Sequence, residues 1–430
     1  MEKELLEITI EAKEELLGRI IPFWRNMRDS DYGGYYGYMS YDLETDRHFV
    51  KGCILGSRIT WFFSNVYRLY KDGLLKEGDF TGHGYSAEDI LDEAKHAYAF
   101  LRDKCFDEVN GGVYWAVTYE GDPADTTKHT YNQAFAIYAL SAYFMATGDE
   151  EALKRAIDLF DLIEYRCVDS KGGYLEARKI NFAPESNEKL SENGVMAEKT
   201  MNTLLHIVEG YTGLYNALKS AADASKEYAD KAEEVEKKLR AALGVFSTKI
   251  YNITLHRQEV FFDRYYNSLI DLHSYGHDIE GSWLYDETTD AIGDPELAHK
   301  IRRITTDLST NVLKVAFDGH SLANECEKGV VNEHRIWWVQ AETVVGFVNA
   351  AQRFTEAGNT EKAEEFIKAA YEQWKFIKTY VSDDRNGSEW FWEVNKDGTP
   401  IKGRPIVEPW KCPYHNGRMC IELIRRAYKA

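Results

Sequence analysis

The sequence predicts an all-α fold, an (α/α)6 barrel of twelve helices with short β-hairpins in the long loops at one end. Three observations carry this prediction. Helical periodicity dominates, and only 8 prolines interrupt 430 residues. Tight links marked by glycine join some helices, while the other connections are long. Several long connections repeat one signature, a glycine pair followed by alternating aromatic residues.

In chain order the predicted helices cover 3–20, 54–73, 86–104, 129–147, 149–166, 196–218, 223–244, 271–290, 294–315, 332–356, 360–379 and 414–429. The chain starts Met1-Glu-Lys-Glu-Leu-Leu-Glu7, a charged helical stretch and no signal peptide. Helices four and five are joined by Thr147-Gly-Asp-Glu-Glu151. Eight and nine meet around Ile292-Gly-Asp-Pro-Glu296, and ten and eleven at Ala357-Gly-Asn-Thr-Glu361. In each link a glycine ends one helix and a short polar side chain caps the next. Such links make antiparallel neighbours. The long loop before helix two carries Tyr32-Gly-Gly-Tyr-Tyr36, and the loop before helix four carries Asn110-Gly-Gly-Val-Tyr-Trp115. Lys171-Gly-Gly-Tyr-Leu175 precedes helix six, and a degenerate copy, Asn386-Gly-Ser-Glu-Trp-Phe-Trp392, precedes helix twelve. These segments predict β-hairpins. Helical hairpins in series, decorated at one end, imply a closed repeat. No linker divides residues 1–430, so one domain is expected.

A net charge of −19, with no run of five Lys or Arg, disfavours nucleic acid and anionic membranes as partners. No apolar run approaches the ~18 residues of a membrane span. The cysteines Cys53, Cys105, Cys167, Cys326, Cys412 and Cys420 form no C-x-x-C pair, so neither a zinc knuckle nor a disulfide framework is indicated. Their scatter suits a reducing cytoplasm.

Two histidine segments carry the chemistry: His273-Ser-Tyr-Gly-His277-Asp-Ile-Glu280 and Pro409-Trp-Lys-Cys-Pro-Tyr-His415-Asn-Gly-Arg418. Imidazole exchanges a proton near neutral pH. Two imidazoles on opposite sides of one carbon invert a stereocentre without a cofactor. Glu280, three residues after His277, shares its helix face and is expected to orient it, with Trp283 a further turn along. His273 and His277 invite a metal reading, but the Glu that follows the first His of a zinc protease helix is missing. Trp338 and Glu342 lie one turn apart and suit a sugar ring and its hydroxyls, while Trp337 reads as core. His415 opens a helix, where the dipole keeps an imidazole neutral. Arg418, on the next turn, reads as a salt-bridge donor. Arg58 in an apolar helix needs a partner or a ligand oxygen, and Asn202 and His206 stand one turn apart. Arg58, Asn202, His206, His277, Glu280, Trp338, Glu342 and His415 all fall on even-numbered helices. In such a barrel these form the inner ring, so the polar side chains should converge on one mouth. Gly82-His-Gly84-Tyr-Ser-Ala87 matches a dinucleotide fingerprint, but no apolar strand precedes it.

Ser57-Arg-Ile-Thr-Trp61, Gly111-Gly-Val-Tyr-Trp115, Lys199-Thr-Met-Asn202, the two histidine segments and Trp337-Trp-Val-Gln-Ala-Glu342 occur in one order. Together they resemble the cellobiose 2-epimerase branch of the N-acylglucosamine 2-epimerase superfamily, over about residues 10–428. Thr60, where a larger apolar residue is expected, is the one departure. The resemblance implies an (α/α)6 barrel without a required metal or nicotinamide cofactor. It implies epimerisation at C2 of the reducing-end sugar of β-1,4-linked disaccharides such as cellobiose, with lactose and mannobiose as further candidate substrates. His277 and His415 become the acid/base pair, and His206 assists ring opening. Arg58, Tyr114 and Asn202 bind the opened sugar, Glu280 supports His277, and Trp283, Trp338, Glu342 and Trp410 shape the sugar subsites. Three other readings stay open: a relative acting on monosaccharides or as an aldose–ketose isomerase, an (α/α)6 glycoside hydrolase using Glu280 and Glu342, and a non-catalytic sugar binder.

Overall fold

A computed structural model describes residues 2–188, 194–223 and 225–427. The final residues of the last predicted helix and the ends of the predicted domain lie outside the described residues. Twelve long helices run in chain order. They are α1 (Glu2–Glu15, continuing through a π turn, Leu16–Ile20, into Ile21–Asn26), α2 (Cys53–Lys71), α3 (Ala87–Phe100) and α4 (Thr130–Thr147). Next come α5 (Glu150–Arg166), α6 (Met201–Ala221), α7 (Lys226–Val245) and α8 (Tyr275–Ile292). The last four are α9 (Pro295–Val315), α10 (Trp337–Glu356), α11 (Thr360–Phe376) and α12 (His415–Ala427). A single helical turn, Glu77–Thr81, sits between α2 and α3.

The even-numbered helices pack in a closed ring, α2 on α4, α6, α8, α10, α12 and back to α2. Each odd-numbered helix packs outside its neighbour, as expected for an (α/α)6 barrel. Outer helices show water one charged face, while α4 and α8 are buried almost all round. The three tight links behave as the sequence predicts. Gly148 and Gly293 take positive φ (79° and 76°), and Asp149, Asp294 and Asn359 accept backbone N–H bonds at the starts of α5, α9 and α11. The ring is sealed where α1 meets α11 and α12. There Trp374 and Trp390 donate to Glu11 and Glu15 (2.7 and 2.8 Å), and Arg19 donates to the carbonyl of Asp383 (2.6 Å).

Helices α6, α8 and α10 begin four or five residues later than predicted. The residues immediately before each helix form a short strand instead. Lys199–Thr200 pairs with Phe261–Phe262, Leu272–Ser274 with Glu325–Glu327, and Arg335–Ile336 with Glu393–Val394. Lys51–Gly52 and Lys128–His129, before α2 and α4, pair with Ala116–Val117 and Ala177–Arg178 in the same manner. A bridge between Met39 and Val407 completes the circle. Each loop is thus stitched to the next, forming a collar around the N-terminal ends of the inner helices. Among the described residues no helix is long and apolar enough to cross a membrane.

Candidate active site

The collar surrounds a cavity of about 540 Å³, in the size range of small-molecule sites. The first two turns of the inner helices supply its floor. Arg58 comes from α2, Tyr131 from α4, Asn202 and His206 from α6, His277 and Glu280 from α8, Trp338 from α10 and His415 from α12. The long loops add Ser274, Trp392, Glu408 and Trp410.

Three imidazoles face this space, each held by Nδ1. His206 Nδ1 lies 2.8 Å from Glu209 Oε2, His415 Nδ1 2.7 Å from Glu342 Oε1, and His277 Nδ1 2.7 Å from Ser274 Oγ. That leaves Nε2 of all three for a ligand. The indole of Trp338 stands beside two of the rings, with centroids 4.8 Å from His277 and 5.6 Å from His415. Burial pushes His206 down to about 3, with Arg58 and Arg418 adding to the effect against Glu280. Burial also holds His415 well below the usual imidazole range. Both rings are therefore neutral at neutral pH, the form that accepts a proton.

Arg58 is clamped between the rings of Phe135 and Tyr414, 4.3 and 4.6 Å from their centroids. It donates to the carbonyl of Trp410 (3.1 Å) and to Tyr131 Oη (2.8 Å). Its Nε, like Asn202 Oδ1, is buried without a hydrogen-bond partner among the described residues. Two orphaned polar atoms at one mouth call for an oxygen-rich ligand.

Beneath the floor lies a buried ionic cluster. Arg418 donates to Glu209, Glu280, Glu342 (2.6 Å) and Tyr414, and its guanidinium lies 4.8 Å from the Trp283 ring. Trp283 Nε1 donates to Glu342 Oε2 at 2.9 Å. Glu280, Glu342 and His415 offer ligand atoms within 4.8 Å of one another, a spacing that a metal ion can use. Arg418 already bridges both carboxylates there.

Eight of the eleven sequence-predicted site residues line the cavity. Tyr114, Trp283 and Glu342 do not. Tyr114 instead stacks under the ammonium of Lys128, 4.5 Å from its ring centroid. Trp283 and Glu342 lie behind His415 and fix it rather than wall a sugar. Glu280 is not the support of His277; its partner is Arg418, and Ser274 holds His277. Trp337, read as core, is buried yet lines the cavity. His273 pairs with Asp278 (2.8 Å), while His277 pairs with Ser274. Ser86, within the glycine-rich false fingerprint, simply caps α3. Sequence reasoning missed Tyr131, Ser274, Glu209, Trp392 and Glu408. Glu209 carried a legible signal, being three residues after His206 on one helix face. Ser274, three before His277, carried a similar one.

The family model described as N-acylglucosamine 2-epimerase (GlcNAc 2-epimerase) matches residues 81–416. Barrel, site and match define a carbohydrate 2-epimerase, an isomerase. A cellobiose 2-epimerase from Eubacterium cellulosolvens is 52% identical over 418 residues, covering 96% of this chain and 97% of that protein. The solved structure of a cellobiose 2-epimerase from Bacillus thermoamylovorans is 39% identical with a TM-score of 0.87, covering 97% of this chain and 99% of that one. A sugar epimerase from a ruminal bacterium, also solved, is 44% identical with a TM-score of 0.86, covering 97% and 98%. The chain belongs to the N-acylglucosamine 2-epimerase family.

Proposed function

We propose that this protein is a cellobiose 2-epimerase, reversibly inverting C2 of the reducing-end glucose of β-1,4-linked disaccharides, so that cellobiose becomes glucosyl-mannose. Residues 1–430 act as one catalytic domain, in a cytoplasm that suits six unpaired cysteines. The observation that carries the reading is the placement of His277 and His415 at one cavity, beside one indole, each with Nε2 available. The names of the similar proteins support the substrate.

A closed pyranose has no acidic hydrogen at C2. Ring opening makes C1 an aldehyde, and the C2 proton becomes α to a carbonyl. His206, neutral through burial, takes part in opening and holds the C1 oxygen. One of the pair His277 and His415 removes the C2 proton, giving a cis-enediolate. Arg58, with its unpartnered Nε–H, donates to the developing oxyanion, while the unpartnered Oδ1 of Asn202 accepts from a sugar hydroxyl. The other histidine returns a proton to the opposite face. The indoles of Trp338, Trp392 and Trp410 supply apolar walls for the two sugar rings, and lactose and mannobiose present the same reducing-end chemistry.

The carboxylate spacing speaks against an inverting hydrolase. Glu280 and Glu342 approach within 4.8 Å and share Arg418, whereas an inverting hydrolase separates its carboxyls by about 6.5–9.5 Å. Incubation with cellobiose in D2O, followed by NMR, tests the proposal. Deuterium at C2 of a mannose-configured reducing end is the expected result. Released monosaccharide would indicate hydrolysis, a ketose would indicate an aldose–ketose isomerase, and an unchanged C2–H would indicate a binding protein.

A further inference from the structure

We infer that Arg418 and Glu209 are positioning residues that tie the ring-opening histidine to one of the two C2 histidines, through one unbroken hydrogen-bonded line. This rests on the roles just proposed for His206 and His415. The line starts at His206 Nδ1, 2.8 Å from Glu209 Oε2. The other oxygen of Glu209 accepts from Tyr414 and from Arg418 Nη1. Arg418 Nη2 donates to Glu280 Oε1 and to Glu342 Oε1 (2.6 Å), and the same Glu342 oxygen faces His415 Nδ1 at 2.7 Å. Arg418, Glu209, Glu280 and Glu342 are all at most 3% exposed.

Only a guanidinium has the planar fork to serve three carboxylates at once. A lysine ammonium is a point charge and leaves at least one carboxylate short of a donor. The fork is itself sandwiched, 4.2 Å from the Tyr414 ring centroid and 4.8 Å from that of Trp283. Three carboxylates share one full positive charge, so the cluster is short of positive charge. Both imidazoles rest neutral, and a proton gained by either one during turnover answers part of that deficit and makes a second imidazolium less favourable. Protonation of His206 and of His415 is thereby linked. His277 stands outside this line, on a neutral serine hydroxyl. The two C2 histidines are therefore built differently: one belongs to a buried charge network and one does not.

The charged groups that bear on His415 come from every neighbouring inner helix: Arg58 on α2, His206 on α6, Glu280 on α8 and Glu342 on α10, with Arg418 on its own helix. The test uses the full chain, cellobiose and D2O, with two NMR rates read together. Exchange between the α and β anomers reports ring opening, and deuterium uptake at C2 reports the histidine pair. In Glu209→Gln we expect slower anomer exchange. We also expect a roughly 10-fold fall in deuterium uptake per opening event, as for loss of a partner behind a working histidine. The acid limb of the C2 pH profile should move as well. Tyr414→Phe removes one donor to the same oxygen without changing charge and should move that limb by less, and it keeps the test alive if Glu209→Gln fails to fold. Slower anomer exchange in Glu209→Gln with unchanged uptake per opening, or an unmoved limb in Tyr414→Phe, overturns the inference. Wild-type protein that takes up no deuterium at C2 overturns the proposed function itself, a result readily told from the other two.

Discussion

Gly276 shows how finely Trp338 is seated. A Cβ on Gly276 would lie 2.5 Å from Trp338 Cη2 and 2.7 Å from Val339 Cγ2. Gly276→Ala must push the indole away from its place beside the two histidines. The expected cost is about 1–3 kcal/mol of stability, together with a raised KM for cellobiose, checked by urea unfolding and steady-state kinetics. His277→Ala and His415→Ala should each lower C2 deuteration by ~10²–10⁴-fold while leaving the melting curve in place, checked by NMR and circular dichroism. The two proposed C2 histidines were legible because each sits in a distinctive segment among aromatic and charged neighbours. Their partners were less so. Arg418 lies 138 and 76 residues from Glu280 and Glu342, and only folding reveals that it serves both. Periodicity gives Glu280 its helix face correctly but cannot say which neighbour claims its charge.

At the scale of elements, one device recurs around the collar. A cation stands two residues before an inner helix and reaches an aspartate at the start of a preceding hairpin. Lys51 pairs with Asp29 (2.6 Å), Lys128 with Asp107 (3.0 Å), Lys199 with Asp169 (2.8 Å) and Arg335 with Asp318 (2.5 Å). The three lysines also donate to glycine carbonyls of the Gly-Gly turns, at Gly33, Gly111 and Gly172. The repeated signature of the sequence is thus half of a clamp that sets each loop over the mouth. Lys128 and Asp107 are almost fully buried, and burial pulls the Lys128 ammonium below its usual range against the attraction of Asp107. Lys128→Met strands a buried carboxylate and should cost about 3–5 kcal/mol, measured by urea unfolding. The glycine pairs made the hairpins legible. The strands before α6, α8 and α10 were not, because their hydrogen-bond partners sit about 50 to 60 residues away and their local pattern continues a helix.

For the whole molecule, twelve helices and their inner–outer alternation followed from periodicity and link length, while the circular order of the collar is purely tertiary. Burial also sets how stability answers to pH. It pushes the carboxyl of Glu176 from 4.5 up to about 7, against hydrogen bonds from Thr203 and from the backbone of Thr200. The folded chain holds that proton more tightly than the unfolded chain. Its contribution is complete below about pH 4.5 and is lost as pH rises through about 7. Glu287 and Glu408 are raised to about 7 as well, mainly by burial, and act in the same direction. Unfolding free energy should therefore decline between pH 5 and 7.5, and Glu176→Gln should flatten that slope, checked by urea titrations across the range.

The seal of α1 against α11 and α12 has a bearing on biosynthesis. His415 and Arg418 sit on α12, the helix that closes the ring on α2. A nascent polypeptide can stack its early hairpins as they leave the ribosome, yet it holds an unfinished ring with one proton carrier absent and three carboxylates awaiting their cation. On the roles proposed for His415 and Arg418, activity should begin only once translation has delivered the closing helix, and products truncated before it should be inert rather than partly active.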